Sequence, residues 1–153
     1  MSTEARLKAL GLTLPPPPKP GGNYVPGVVH NGLLYLAGQG PMQGDGSYAT
    51  GIVGQDVTIA EANGHARLTG LALLSVARAT LGSLDRVERV LSVFGMVNAA
   101  PGFGEHPQVI NGCSDLFVEV FGDAGRHARA AVGMGSLPGN ISVEITAIMA
   151  VKE

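Results

Sequence analysis

Two charged residues in the last quarter of the chain, Arg129 and Glu144, are the side chains best suited to chemistry on a small molecule. An arginine presents a planar fork of donors that matches a carboxylate. A glutamate can accept a proton or orient a water. Both stand in stretches that read as β-structure. From Ile141 to Val151 every odd position is apolar, while Ser142, Glu144 and Thr146 hold even ones, the period of a half-buried strand. The Leu137-Pro138-Gly139-Asn140 break is turn chemistry, so Arg129 to Leu137 is expected to form the partner strand of a hairpin. With Val132 and Met134 facing the core, alternation puts Arg129 and Glu144 off the core face. Pairing around the turn leaves them about four residues out of register, on the order of 13 Å along the strand. That is long for one small ligand, so a shared site calls for a second subunit. Read from residue types alone, both are better taken as ordinary solvated strand residues.

Other reactive residues point less clearly. His30, His65, His106 and His127 lie at no metal-ligand spacing with one another, with cysteine or with a carboxylate pair, and are expected at surface or capping positions. Cys113 falls on the apolar side of a helical pattern, where a thiol is buried and inert. The glycine-rich run from Gly38 to Ser47 has no following Lys-Ser/Thr and opens no helix, so it reads as a rim loop rather than a phosphate cradle. No Gly-x-Ser-x-Gly elbow is present. No metal, nucleotide, flavin or other cofactor is expected.

The elements that position these residues follow from composition and pattern. The chain has 153 residues, 45% apolar and 14% charged, enough for one domain with a real core. Surplus apolar surface predicts burial between subunits, hence an oligomer. A net charge of −2 with no basic run argues against nucleic acid as a partner. The absence of an apolar run near 18 residues argues against a membrane span. The lone cysteine and an N-terminus without signal-peptide layout point to the cytoplasm. A short helix is expected over Thr3–Leu10, capped by Ser2 or Thr3, followed by a polyproline arm from Pro15. The chain thus divides into an arm, 1–22, and a domain, 23–153, with the arm laid over the domain or a neighbouring subunit. Strands are expected at Tyr24–His30 and Leu33–Gly38, joined by an Asn31-Gly32 hairpin turn. A helix over Asp56–Leu81, a strand over Arg86–Val97 and a helix over His106–Phe121 complete the reading. Gly64, Ala66 and Gly70 should let the long helix approach the sheet closely. The order β-β-α-β-α-β-β predicts an α+β layer with both helices on one face.

On these residues the chain resembles a known family. Ala128-Arg129, Val132, Leu137-Pro138 and Val143-Glu144-Ile145 are similar to the C-terminal signature of the RidA (YjgF/YER057c/UK114) family, also called endoribonuclease L-PSP. Tyr24 with Val25-Pro-Gly, the Gly38-Gln39 pair and Asn111 before Phe117 extend the match across Tyr24 to Val151. The resemblance implies a chorismate-mutase-like fold assembled as a homotrimer, with ligand clefts between subunits. It implies hydrolytic deamination of enamine or imine intermediates, 2-iminobutanoate- and 2-iminopropanoate-like, to 2-oxo acids and ammonia. Arg129 would hold the substrate carboxylate and Glu144 would position the attacking water, as catalytic residues. Tyr24, Gly38 and Asn111 would line the substrate cleft with Arg129. The alternative is non-catalytic binding of a small carboxylate, or a chaperone-like role. An RNA-cleaving role attached to the family is disfavoured by the acidic charge balance. Departures from the family pattern include Ala131 where cysteine is common, Ala37 where serine often stands, Thr146 for a second glutamate, and His127 for proline or alanine. Substrate identity is the property these departures affect.

Overall fold

Asn31 and Gly32 do what their types dictate. In the computed structural model, which describes Met1–Glu153, they take φ of 51° and 74°, the pair of left-handed residues a type I′ turn needs. They join β1 (Gly27–His30) to β2 (Leu33–Gln39), antiparallel. β1 is shorter than its pattern suggests, because Pro26 withdraws a ladder donor just before it. Tyr24 therefore lies in irregular chain, not in the strand.

The helices form where caps and stops place them. α1 (Thr3–Ala9) is capped by Ser2, whose Oγ accepts the Ala5 N–H. α2 (Ile59–Leu81) opens on a Thr58 cap: Thr58 Oγ1 accepts the Glu61 N–H and its hydroxyl donates to Glu61 Oε1. Gly82, at φ 86°, closes it. β3 (Val87–Asn98), α3 (His106–Phe121), β4 (Ala128–Met134) and β5 (Val143–Val151) complete the fold. The architecture is α+β, with a five-stranded sheet in the order β1-β2-β5-β3-β4.

That order overturns the expected C-terminal hairpin. Gly139 and Asn140 do turn the chain at positive φ, but β4 and β5 are not neighbours. β4 pairs with β3 in parallel, and α3 is the crossover such a pair requires. β5 runs antiparallel to both β2 and β3 and fills the place between them. The Ala- and Gly-rich β4 is left as the edge strand, while β5 has every odd residue buried.

α2 and α3 cover one face of the sheet and share a single core with it, from Leu34 and Leu36 through Leu73, Val93, Ile110 and Phe117 to Met149. The small helix residues bring the helices to each other rather than to the sheet. A Cβ on Gly112 would collide with the Asn63 carbonyl of α2, and one on Gly70 would stand 2.9 Å from Leu116 Cδ2 of α3; Gly64 faces open space. Arg67 of α2 binds Glu119 of α3 with both Nη atoms, at 3.2 and 3.0 Å. The N-terminal segment lies on this helical layer. Leu7 is buried in the same core, Glu4 pairs with Arg78 at 3.2 Å, and Ser75 Oγ donates to the Pro15 carbonyl at 2.6 Å.

The opposite face of the sheet carries no helix. Direct cross-strand partners Val28–Tyr35, Tyr35–Ile148 and Phe94–Thr146 lie on it, and Val28, Tyr35 and Phe94 are exposed. No helix is long and apolar enough to cross a membrane.

Candidate functional site

Glu144 sits on β5 opposite Met96, on the helix-free face. Its carboxylate lies across β2 over Gly38, where an added Cβ would stand 2.6 Å from Glu144 Oε2. Gly38 therefore acts by having no side chain, and any other residue would displace the carboxylate. Glu144 is half-buried, and burial pushes its pKa upward from the ordinary carboxylate value. A carboxyl whose proton affinity is raised toward neutrality is suited to accept and return a proton.

Arg129 sits on β4 opposite Val93 of β3, and Val93 is a core residue. Arg129 thus points to the helix side, where α3 receives it. Nη1 donates to Ser114 Oγ at 2.9 Å and Nη2 to the Pro107 carbonyl at 3.1 Å. His127, on the same stretch of chain, is 2.9 Å from Ser114 Oγ through Nε2 and 2.7 Å from the Gly125 carbonyl through Nδ1. Burial lowers the His127 pKa most, the Gly125 bond opposes this, and the nearby Arg129 charge lowers it further. Ser114, His127, Arg129, Asp115, Val118 and Arg126 surround an open pocket of about 260 Å³. Asn111, exposed on α3, lies one turn before Ser114, within helical-neighbour reach of this edge.

These placements correct the alternation argument. Glu144 is off the core face, but Arg129 is not, because β4 pairs with β3 and puts Ala131 and Arg129 on the helix side and Val132 on the open side. Arg129 and Glu144 lie on opposite faces, two strand spacings apart across β3 and three residues apart along it, so that their backbones are about 14 Å from each other. One chain therefore carries two separate clusters of these residues. Arg129, Ser114, His127 and Asn111 gather at the β4–α3 edge; Glu144 and Gly38 gather on β5 and β2. Tyr24 precedes β1 at the far edge, and its hydroxyl accepts the Gly21 N–H at 3.1 Å. The structure brings neither Tyr24 nor Glu144 to Arg129 within the chain.

Ser114 and the bonded state of His127 were not legible from spacing. The one available signal was a histidine two positions before Arg129, hence on the same strand face. His65 likewise has an interior partner, Nδ1 lying 2.8 Å from the buried Ser142 Oγ. Cys113 is wholly buried, with its thiol pKa pushed far up by desolvation, as its place on the core face implied.

The family model described as YjgF/chorismate mutase-like, putative endoribonuclease matches residues 4–150. Protein TCP17 of Trypanosoma cruzi is 42% identical over 146 residues, 95% of this chain and 91% of that protein. The crystal structure of Atu1372 from Agrobacterium tumefaciens, described there as of unknown function, is 47% identical with a TM-score of 0.90, covering 98% of this chain and 92% of that one. A putative endoribonuclease from Shewanella oneidensis superposes at TM-score 0.94 with 31% identity, covering 99% of this chain and 100% of that one. With the matched region spanning nearly every residue, and the sheet and both sheet-covering helices included in it, the chain belongs to the YjgF/chorismate mutase-like family.

Proposed function

We propose that the protein hydrolyses small enamine or imine intermediates of the 2-iminopropanoate and 2-iminobutanoate type to 2-oxo acids and ammonia, in clefts between the subunits of a homotrimer. The observation that carries this reading is the pair of complementary half-sites. Arg129 offers a guanidinium steadied by α3 on one edge, and Glu144 offers a carboxyl of raised proton affinity on the other face. A head-to-tail ring of subunits would bring the Arg129 edge of one chain against the Glu144 face of the next. The exposed apolar residues Val28, Tyr35 and Phe94 on the helix-free face give such a ring an apolar contact.

The chemistry follows from the side chains. Arg129 has five N–H donors, of which two are committed to Ser114 and Pro107, so the rest can hold a substrate carboxylate in the plane of the fork. Holding the imine there makes water attack effectively intramolecular. Glu144 takes the proton of that water as its oxygen bonds to the imine carbon, and the proton passes to nitrogen. The hydroxyl of the tetrahedral carbon then gives its remaining proton, by way of the Glu144 carboxylate, to the nitrogen as the C–N bond breaks, so that ammonia leaves and the C=O of the 2-oxo acid forms. The water supplies the new oxygen and no redox partner is needed. Imines hydrolyse readily unaided, so modest acceleration suffices.

A second reading, binding of a 2-oxo acid without turnover, draws on the fact that the Arg129 half-site is formed by one chain alone. RNA as substrate is disfavoured by the net charge of −2. The deciding experiment generates the two imines in situ and follows their loss with wild type, Arg129→Ala and Glu144→Gln. Acceleration by wild type alone supports the deaminase. Buffer-rate loss by wild type, with pyruvate binding that Arg129→Ala abolishes, would make the cleft a receptor instead.

A further inference from the structure

His127 bonds with a direction that its partners dictate. The Gly125 carbonyl can only accept, so the 2.7 Å contact makes Nδ1 the protonated nitrogen. In the neutral ring Nε2 then has a lone pair and must accept from Ser114, whose hydroxyl hydrogen points at it across 2.9 Å. Arg129 Nη1 can only donate, so it fills a lone pair of the same Ser114 oxygen at 2.9 Å. The result is a one-way chain of donors, from Arg129 through Ser114 and His127 to the Gly125 carbonyl. Each bond polarises the next.

From this geometry we infer that Ser114 and His127 are positioning residues for Arg129, forming a latch that holds the carboxylate clamp in place while His127 is neutral. The inference rests on the carboxylate-clamp reading above for its effect on substrate, but not for its structural content. Protonating His127 turns Nε2 into a donor. Ser114 must then swing its hydrogen away and accept from two cations at once, His127 and Arg129. Repulsion between them loosens the guanidinium.

The charged and titratable groups that face this latch come from each packed element. α3 contributes Asp115, which lines the same pocket. The turn before β4 contributes Arg126 and its partner Asp123, 3.6 Å apart and exposed. β3 contributes Arg89, whose Nη2 donates to the Arg126 carbonyl at 2.8 Å. β4 contributes Arg129 itself. Of these charges it is Arg129 that favours the neutral ring, in keeping with the ring's burial, while the bond to the Gly125 carbonyl acts the other way. The edge-on contact with Phe117, ring centroids 6.0 Å apart, fixes the ring plane.

The test compares wild type, Ser114→Ala, Ser114→Thr and His127→Phe by nitrogen NMR of the Arg129 guanidinium and the His127 ring, together with pyruvate titrations between pH 5 and 8. Slow guanidinium rotation in wild type that quickens in Ser114→Ala and His127→Phe, and slows again in Ser114→Thr, is the expected result. Pyruvate affinity should fall on the order of tenfold in Ser114→Ala, the loss of one hydrogen bond to a charged group. In wild type, affinity should drop as His127 titrates, whereas Ser114→Ala should be weak throughout and flat in pH. Identical guanidinium rotation in all four proteins would overturn the latch. So would tighter pyruvate binding at acid pH, since His127 would then act as a plain second cation. If rotation follows the latch yet pyruvate binds none of the proteins, the latch stands and the carboxylate reading fails.

Discussion

If each catalytic site takes Arg129 from one subunit and Glu144 from the next, two inactive variants should repair each other. Arg129→Ala keeps an intact Glu144 half-site, and Glu144→Gln keeps an intact Arg129 half-site. Alone, every cleft in either trimer carries a defect. Removing a general base costs roughly a hundredfold or more in rate, and losing the clamp costs orientation as well. In a ring assembled at random from equal amounts of both, a cleft is intact when its Arg129 edge belongs to a Glu144→Gln chain and its Glu144 face to an Arg129→Ala chain. About one cleft in four meets that condition in a closed head-to-tail ring. Recovered activity should therefore reach about a quarter of wild type, against about a hundredth for either variant.

The mixture is made by unfolding both variants together and refolding, or by co-expression with two tags, and activity is read by loss of 2-iminobutanoate. Varying the mixing ratio sharpens the outcome, because the intact fraction follows the product of the two mole fractions and peaks at equal amounts. The two residues stand on opposite faces of the sheet within one chain, which is why the proposal shares the cleft between subunits. A mixture that stays at the level of the single variants at every ratio, while tag pull-down proves that subunits have mixed, would refute the shared-cleft reasoning.

Four further outcomes follow from local geometry. Gly38→Ala should lower kcat by about tenfold or more while leaving the fold intact by circular dichroism, because its Cβ would stand 2.6 Å from Glu144 Oε2 and push the carboxylate off β2. Glu144 should impose an acid limb on the kcat/KM profile, at higher pH than an ordinary carboxylate, since burial raises its pKa. The stability sign runs the same way: a folded pKa above the unfolded one means burial opposes folding when the group is ionised. Glu144→Gln should therefore raise Tm slightly at neutral pH, and the difference should vanish as pH falls below the unfolded carboxyl value. Phe94→Glu, on the exposed helix-free face, should convert the assembly to monomers by analytical ultracentrifugation and abolish imine hydrolysis with it.

Much of the fold was legible because the signals are local. Ser2, Thr58 and Gly82 cap and stop helices through side-chain or backbone properties of their own, and Asn31-Gly32 specifies its turn by the φ values the two residues tolerate. The C-terminal turn shows where that logic ends. Leu137 to Asn140 bends the chain, but nothing in those four residues says whether the next strand returns beside β4 or steps past β3. That choice is made elsewhere, by α3 carrying β4 into a parallel pairing with β3 and by the vacancy this leaves between β2 and β3. A hairpin would have put Arg129 and Glu144 on one face. The observed topology puts them on opposite faces, which adds to the distance along the strands a second argument for the proposed sharing of a cleft between subunits. The Ser114–His127 pair was hidden for the same reason: a helix residue and a strand residue become partners only once the crossover packs α3 against the edge of the sheet. What an isolated stretch of sequence can state is each side chain's chemistry. Which chemistries meet is decided by the order of strands, and in this protein the order of strands assigns the arginine and the glutamate to different neighbours.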